Sequence, residues 1–271
     1  MKTVPALIPA AGRGTRLRPI TRYLSKPMLP LGSEPVISYT IEEALEANCE
    51  PVVVVRSPDD QFLEEYVKTN YRDRVQLTEQ PEPRGLADAA LRGYRSLENA
   101  GRCAMLLPDN VVLNGTGVES LLDRTDPRSL VLGTTLVTQE RARYFGNSGR
   151  FESEPLEGED KLVRITGLQE KGSGSFRNAA EDWPTRRAVA RSLLPEEFFE
   201  RAEKREPDPD TGEVDDVPIY RAMIQSSTVY GVPLDGDIHD MGTPERYLKL
   251  NETLSEMTET TAESSRVDNH A

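Results

Sequence analysis

The stretch IPAAGRGTRLRPITRYLSKPMLP, residues 8–30, joins a predicted strand to an unusually basic loop. It overlaps the apolar run VPALIP, residues 4–9, whose length and composition predict a buried strand. The segment that follows has two closely spaced glycines and no acidic side chain, although the formal net charge of the chain is −13. Local positive charge in an acidic protein indicates an anionic ligand at this loop. Its basic residues are Arg13, Arg16, Arg18, Arg22 and Lys26.

Three interpretations of the loop are open: a tight turn with solvated arginines, a dinucleotide-binding turn, and a cradle for phosphate groups. A dinucleotide-binding turn needs a third glycine, a helix opening directly after the glycines, and an acid about 20 residues on. Here Pro19 interrupts any helix and the second predicted strand ends at Arg56. A Walker loop needs Lys-Ser or Lys-Thr after its last glycine, whereas Gly14 precedes Thr15 and Arg16. We favour a phosphate cradle of another design, because glycines let backbone N–H groups approach oxyanions and arginine forks bind them.

The order of the predicted elements indicates the fold class. Up to about residue 125, apolar runs alternate with amphipathic stretches, so strands alternate with helices. This alternation predicts an α/β protein with a Rossmann-like, mainly parallel sheet that has helices on both sides. Beyond residue 125, strand-like stretches are separated by polar, glycine-containing segments, which predicts a mixed extension of the sheet with a substrate-facing lobe.

The same patterns predict a single domain over residues 1–252. We expect it to divide at about residue 125 into an N-terminal half, residues 1–125, and a C-terminal half, residues 126–252. A final helix is expected to begin after Thr243, which caps it, with Pro244 at the first helical position. Residues 253–271 are polar and low in apolar content, and we expect them to form a disordered tail.

Composition limits the classes of partner. The chain has 46 acidic residues, and 7 of its 33 basic residues are lysine. A dispersed acidic surface argues against a nucleic-acid partner. A lysine-poor, acidic composition is similar to that of proteins from salt-loving archaea, with an ordinary acidic cytosolic protein as the alternative. No apolar run approaches the ~20 residues that span a bilayer, and no signal peptide is evident. We expect a cytoplasmic protein with Cys49 and Cys103 as reduced thiols.

The basic loop resembles the signature of the sugar-1-phosphate nucleotidyltransferases, the nucleotide-sugar pyrophosphorylases. The resemblance lies in its Gly-x-Gly-Thr-Arg pattern, in Pro19 shortly after it, and in the Lys26-Pro27 step before Leu-Pro. The opening IPAAG and the LPDN at residues 107–110 are similar to the glucose-1-phosphate uridylyltransferases, and RLRPIT and KPMLP are equally similar to the thymidylyltransferases. The resemblance covers about residues 4–250.

This resemblance implies an enzyme that joins a nucleoside triphosphate, UTP or dTTP, to a sugar 1-phosphate, with glucose 1-phosphate as the expected sugar. Pyrophosphate is released and Mg²⁺ is the implied cofactor. Residues 1–125 then bind the nucleotide, residues 126–252 bind the sugar, and a homo-oligomer is a further possibility. Two alternatives stay open: a non-catalytic regulatory or nucleotide-sugar-binding subunit with the same fold, and the same chemistry with another base or sugar.

The resemblance also implies roles for individual residues. The nucleotide is expected to contact Ala10, Ala11, Gly12, Arg13, Gly14, Thr15, Gln80 and Gly85. The expected catalytic residues are Arg16 and Lys26, the metal ligands are Asp109 and Asp240, and the sugar phosphate is expected at Gly146, Glu170 and Lys171.

Two departures from the family pattern leave the sugar open. Gly172 stands after Lys171, where the family usually has proline, and GEVDDVPIYRAMI, residues 212–224, matches the family only loosely. The aspartates also have structural alternatives, since Asp109 suits a turn and Asp240 suits a helix-entry loop.

Overall fold

A computed structural model of the chain describes residues 3–98, 100–122, 126–141, 150–169 and 184–268. In chain order the strands are β1 (Ala6–Pro9), β2 (Pro30–Leu31), β3 (Glu34–Pro35), β4 (Val52–Arg56), β5 (Val75–Glu79), β6 (Arg102–Leu106), β7 (Asn110–Leu113), β8 (Val131–Val137), β9 (Phe151–Leu156), β10 (Glu159–Leu168), β11 (Thr185–Pro195), β12 (Val229–Pro233) and β13 (Asp237–Asp240). The helices are α1 (Val36–Glu46), α2 (Gln61–Asn70), α3 (Leu86–Arg95), α4 (Glu119–Leu122), α5 (Glu196–Lys204), α6 (Val217–Ser226) and α7 (Pro244–Asp268). None of these helices is long and apolar enough over its described residues to span a bilayer.

The N-terminal half is the predicted parallel layer. Strands β5, β4, β1 and β6 lie side by side in that order, and every neighbouring pair is parallel. The side chains of the central strands alternate between two cores, since Ile8 packs with α1 and α2 while Leu7 packs against α3. A parallel strand covered on both faces must be apolar throughout, which is why VVVV in β4 is fully buried.

The C-terminal half extends this layer with strands of mixed direction. Strand β11 pairs antiparallel with β6 and with β8, and the sheet continues through β12, β10 and β9 to a total of nine strands among the described residues. Helices α5 and α6 share a core cluster with α3. The mixed, mainly parallel sheet with helices on both sides confirms the predicted fold class.

A small antiparallel ribbon, β7 with β13, stands apart from the main sheet. Its register places Asp240 opposite Asn110, next to Asp109. The ribbon shares an apolar cluster with the basic loop and with the start of α7, through Leu17, Leu29, Val111, Met241 and Tyr247. The cluster therefore fixes the basic loop against the strands that carry both aspartates.

The structure describes most of the stretch expected as a disordered tail as part of a helix. Helix α7 does not end at residue 252 but continues to Asp268. Leu254 and Met257 lie one turn apart in the helix and are partly buried against the cluster of Leu29 and Tyr247, so tertiary packing supports the extension. The polar composition of residues 253–271 indicates disorder, whereas these two apolar residues favour a packed helix.

Candidate active site

A cleft of about 820 Å³ opens at the carboxyl ends of β1 and β6. This is the edge of an open α/β sheet at which ligands bind, because the loops after parallel strands meet there. All the predicted site residues within the described ranges line this cleft: Ala10, Ala11, Gly12, Arg13, Gly14, Thr15, Arg16, Lys26, Gln80, Gly85, Asp109 and Asp240. Gly146, Glu170 and Lys171 lie outside the described residues.

The basic loop leaves β1 through the glycines and returns across the cleft. Gly14 has a φ of +59°, a left-handed conformation in which a side chain is strained. A Cβ on Gly14 would also lie 3.1 Å from Thr21 Cγ2 and 3.2 Å from Lys26 Cβ, so the loop packs tightly against itself at this point. The Thr21 hydroxyl donates to the Gly14 carbonyl at 2.8 Å and holds this packing. Arg13 and Arg16 are exposed toward the cleft that they line.

Lys26 and Asp109 form the central ion pair of the cleft. Lys26 Nζ lies 2.6 Å from Asp109 Oδ2, and Asn110 Nδ2 donates to Asp109 Oδ1 at 3.2 Å. Burial acts to raise the pKa of Asp109, but the ammonium of Lys26, these hydrogen bonds and the charge of Arg16 outweigh it and lower the pKa. Asp109 is therefore held as a carboxylate among cationic groups.

Asp240 also lines the cleft and stands at the end of β13. Its Oδ1 accepts the Gly242 N–H at 2.7 Å, and its Oδ2 pairs with Arg246 Nη1 at 2.9 Å. Burial and the nearby charge of Asp109 raise the pKa of Asp240, although Arg246 opposes the shift. The Met241 N–H donates to the Asp109 carbonyl at 2.9 Å and ties the two aspartates together. Two neighbouring carboxylates that destabilise each other's charge favour a cation between them.

The donor set of these aspartates fits a hard divalent cation. Carboxylate oxygens are the ligands that Mg²⁺ prefers, and it is usually held by one or two of them together with substrate phosphates. In the ranges that the structure describes, no group of three or more His, Cys, Asp or Glu side chains could hold a metal by itself. A metal at Asp109 and Asp240 would therefore need further oxygen ligands, from water or from a bound phosphate.

A buried ion pair that the sequence argument missed supports the loop of Asp109. Arg191 on β11 is 1% exposed and makes a fork with Glu43 of α1, with three N–O distances between 2.6 and 3.0 Å. The same guanidinium donates to the carbonyls of Leu107 and Asn110, at 3.0 and 2.8 Å. Arg191 thus holds both ends of the loop that presents Asp109. An arginine inside the strand-like run RAVARSLL was the available signal, because a buried charge requires a partner.

Gln80 and Gly85 are hydrogen-bonded to each other and line one side of the cleft, which we call the wall of Gln80 and Gly85. Gln80 is 4% exposed, and its Nε2 donates to the Gly85 carbonyl at 3.0 Å and to Asp88 Oδ2 at 2.8 Å. Gly85 has a φ of +96°, and a Cβ there would lie 2.6 Å from the carbonyl oxygen of Val214. Only glycine allows the backbone at Val214 to pass this closely, so the segment after Gln80 packs directly against the chain at Val214.

The comparisons with known proteins agree with this geometry. A family model described as nucleotidyl transferase matches residues 5–257. A Bacillus subtilis protein named UTP–glucose-1-phosphate uridylyltransferase is 32% identical over 195 residues, which cover 63% of this chain and 65% of that protein. A Streptococcus pneumoniae protein of the same name is 27% identical, covering 92% of this chain and 89% of its own. A UDP-glucose pyrophosphorylase crystallised with UDP-glucose has the same fold, with a TM-score of 0.79, 24% identity, and coverage of 94% of this chain and 100% of that one.

Proposed function

The chain belongs to the nucleotidyl transferase family, and from this premise we propose that it transfers a uridylyl or thymidylyl group to a sugar 1-phosphate. The observation that carries the proposal is one cleft lined by residues of the basic loop, by Asp109 and Asp240, and by Gln80 and Gly85. The names of the relatives favour UTP as the donor and glucose 1-phosphate as the acceptor. The products are then a nucleotide sugar and pyrophosphate.

In this proposal the residues of the basic loop bind the triphosphate. Backbone groups from Ala10 to Thr15, together with the forks of Arg13 and Arg16, neutralise the phosphates that leave as pyrophosphate. Lys26 lies beside Asp109. In this proposal its ammonium draws the phosphate groups of the two substrates together. Within the C-terminal half, about residues 126–252, we assign Gly146, Glu170 and Lys171 to the sugar phosphate on the sequence resemblance.

The reaction is an in-line displacement at the α-phosphorus. The attacking oxygen belongs to a phosphate that is already ionised near neutral pH, so no general base is required, and among the described residues no histidine lines the cleft. The enzyme then works by positioning the reactants and neutralising charge. Asp109 and Asp240 would hold Mg²⁺, which supplies charge neutralisation on the phosphate oxygens.

The donor preference tests the proposal most directly. We expect pyrophosphate release to be faster with UTP and dTTP than with ATP or GTP, because the sequence resemblance assigns the base to Gln80 and Gly85 and the relatives are named for UTP. The assay is a grid of nucleoside triphosphates against sugar 1-phosphates, with Mg²⁺, at low and at high salt. Faster turnover of ATP or GTP than of UTP and dTTP would contradict the base assignment. Nucleotide-sugar binding without any turnover across the grid would favour the non-catalytic alternative.

The acidic composition gives a further expected outcome. The 46 acidic side chains repel each other most at low ionic strength, where the screening length is about 30 Å at 0.01 M against about 3 Å at 1 M. We expect the melting temperature to rise from dilute buffer to molar KCl, because screening relieves this repulsion. Over the same range the affinity for UTP should fall, since the basic loop binds it electrostatically. A flat or declining melting temperature would contradict the halophilic interpretation and leave the transferase proposal intact.

A further inference from the structure

We propose that Asp88 determines which pyrimidine the cleft accepts, by fixing the side-chain amide of Gln80 with its carbonyl oxygen toward the base. This inference rests on the proposed function, which assigns the base to the wall of Gln80 and Gly85. Asp88 lies behind that wall in the first turn of α3 and acts through Gln80. It is a positioning residue that controls specificity.

The orientation of the Gln80 amide follows from the chemistry of its two neighbours. Nε2 lies 3.0 Å from the Gly85 carbonyl and 2.8 Å from Asp88 Oδ2. Both partners are acceptors only, because neither a carbonyl nor an ionised carboxylate has a hydrogen to donate. The NH₂ group is therefore the only end of the amide that can face them, and both of its hydrogens are used.

The opposite end of the amide is left for a ligand. Gln80 lines the cleft while its nitrogen is turned away toward α3. Among the described residues, no donor is bonded to its Oε1, so this oxygen presents an unused acceptor at the cleft wall. A ligand that offers an N–H at this point completes the hydrogen bonding of the amide.

A hydrogen-bond acceptor in a fixed position can distinguish uracil and thymine from cytosine. Uracil and thymine carry an N–H at ring position 3, whereas cytosine has an unprotonated nitrogen there, which is itself an acceptor. CTP would therefore face Oε1 acceptor to acceptor, while UTP would donate to it. A site built to accept a substrate N–H discriminates strongly against an analogue that lacks it, because its polar group is then left unpaired.

Arg92 makes a second contact with the carboxylate of Asp88. Its Nε lies 2.8 Å from the same Oδ2 that accepts from Gln80, in an i,i+4 ion pair on the side of α3. The competing explanation is purely structural, because an acid in the first turn of a helix and an i,i+4 pair each stabilise the helix. That explanation predicts a loss of stability on substitution and no change in base preference.

The experiment compares UTP with CTP, two substrates of nearly equal size, in the full chain with Mg²⁺ and glucose 1-phosphate. For Asp88→Ala we expect the kcat/KM ratio of UTP to CTP to fall about tenfold, in line with the loss of one charge-assisted hydrogen bond. Asp88→Asn keeps a carbonyl oxygen and should retain more of the ratio. The matched control is Arg92→Gln, which removes the ion pair but leaves the Asp88–Gln80 contact, and should keep the wild-type ratio.

Two results would overturn the inference: an unchanged ratio in Asp88→Ala, or an equal change of the ratio in Arg92→Gln. Calorimetric binding of UTP and of CTP, without any sugar phosphate, separates this inference from the proposed function. If the wild-type chain turns over no substrate, the transferase proposal fails. The binding preference for UTP over CTP and its loss in Asp88→Ala still decide the role of Asp88.

Discussion

Asp109→Asn is expected to reduce turnover by about 10³-fold, the upper end of what removing one preorganised electrostatic contact costs. The change removes a carboxylate charge from the proposed metal site and from the ion pair with Lys26, with little change in side-chain volume. The measurement is kcat for pyrophosphate release at saturating Mg²⁺ and substrates, together with a melting curve that reports whether the fold is retained. Turnover near the wild-type value would show that Asp109 is neither a metal ligand nor a catalytic residue.

The same substitution at other aspartates supplies the comparison. Asp240→Asn should lower turnover in the same direction, because it removes the other carboxylate of the proposed metal site, on the strand that pairs with the one following Asp109. Asp237→Asn is the matched control, since Asp237 lies on the same strand β13 but is exposed and paired with Asn114 instead of lining the cleft. We expect its turnover to match wild type. A loss as large as that of Asp109→Asn would point to a general effect on the ribbon.

The parallel half of the fold could be predicted because its signals are local. A short apolar run such as VPALIP or VVVV favours a strand buried on both faces, and the amphipathic stretches between such runs can cover those faces. The ribbon of β7 and β13 could not be predicted in this way. Its strands pair residues 110–113 with residues 237–240, far apart in the sequence, and neither strand has a pattern that identifies the other as its partner. That pairing is what brings Asp109 next to Asp240.

The candidate site shows the same difference between local sequence signals and long-range contacts. The predicted site residues of the basic loop are close together in sequence, so a short motif was enough to collect them, and the structure places residues 10–16 and Lys26 at one cleft. The sequence around Glu43 gives no sign of a function, because an acidic residue is common in a helix. Asp88 likewise resembles an ordinary acid in the first turn of α3. Their contacts with Arg191 and Gln80 arise only when helices and strands pack together. Supporting residues of this kind are defined by tertiary contacts and carry no local signature.

Arg191→Leu is expected to lower the free energy of unfolding by about 3–5 kcal/mol, the range for breaking a buried ion pair by removing one partner. The substitution leaves the Glu43 carboxylate buried without its main counter-charge and removes the donors to Leu107 and Asn110. Urea denaturation with an unchanged m-value measures the effect. The control is Arg95→Leu, which breaks an exposed pair with Glu203 and should cost about 0–1 kcal/mol.

The double variant Glu43→Leu/Arg191→Leu separates two roles of Arg191: it pairs with the charge of Glu43, and it supports the loop that carries Asp109. Removing both charges relieves the unpaired carboxylate, so this variant should be more stable than Arg191→Leu alone. It still lacks the donors that hold Leu107 and Asn110, so its turnover should stay low even where its stability recovers. Recovery of turnover together with stability would show that Arg191 contributes to the fold alone. Recovery of stability without turnover would show that the buried guanidinium positions the loop of Asp109.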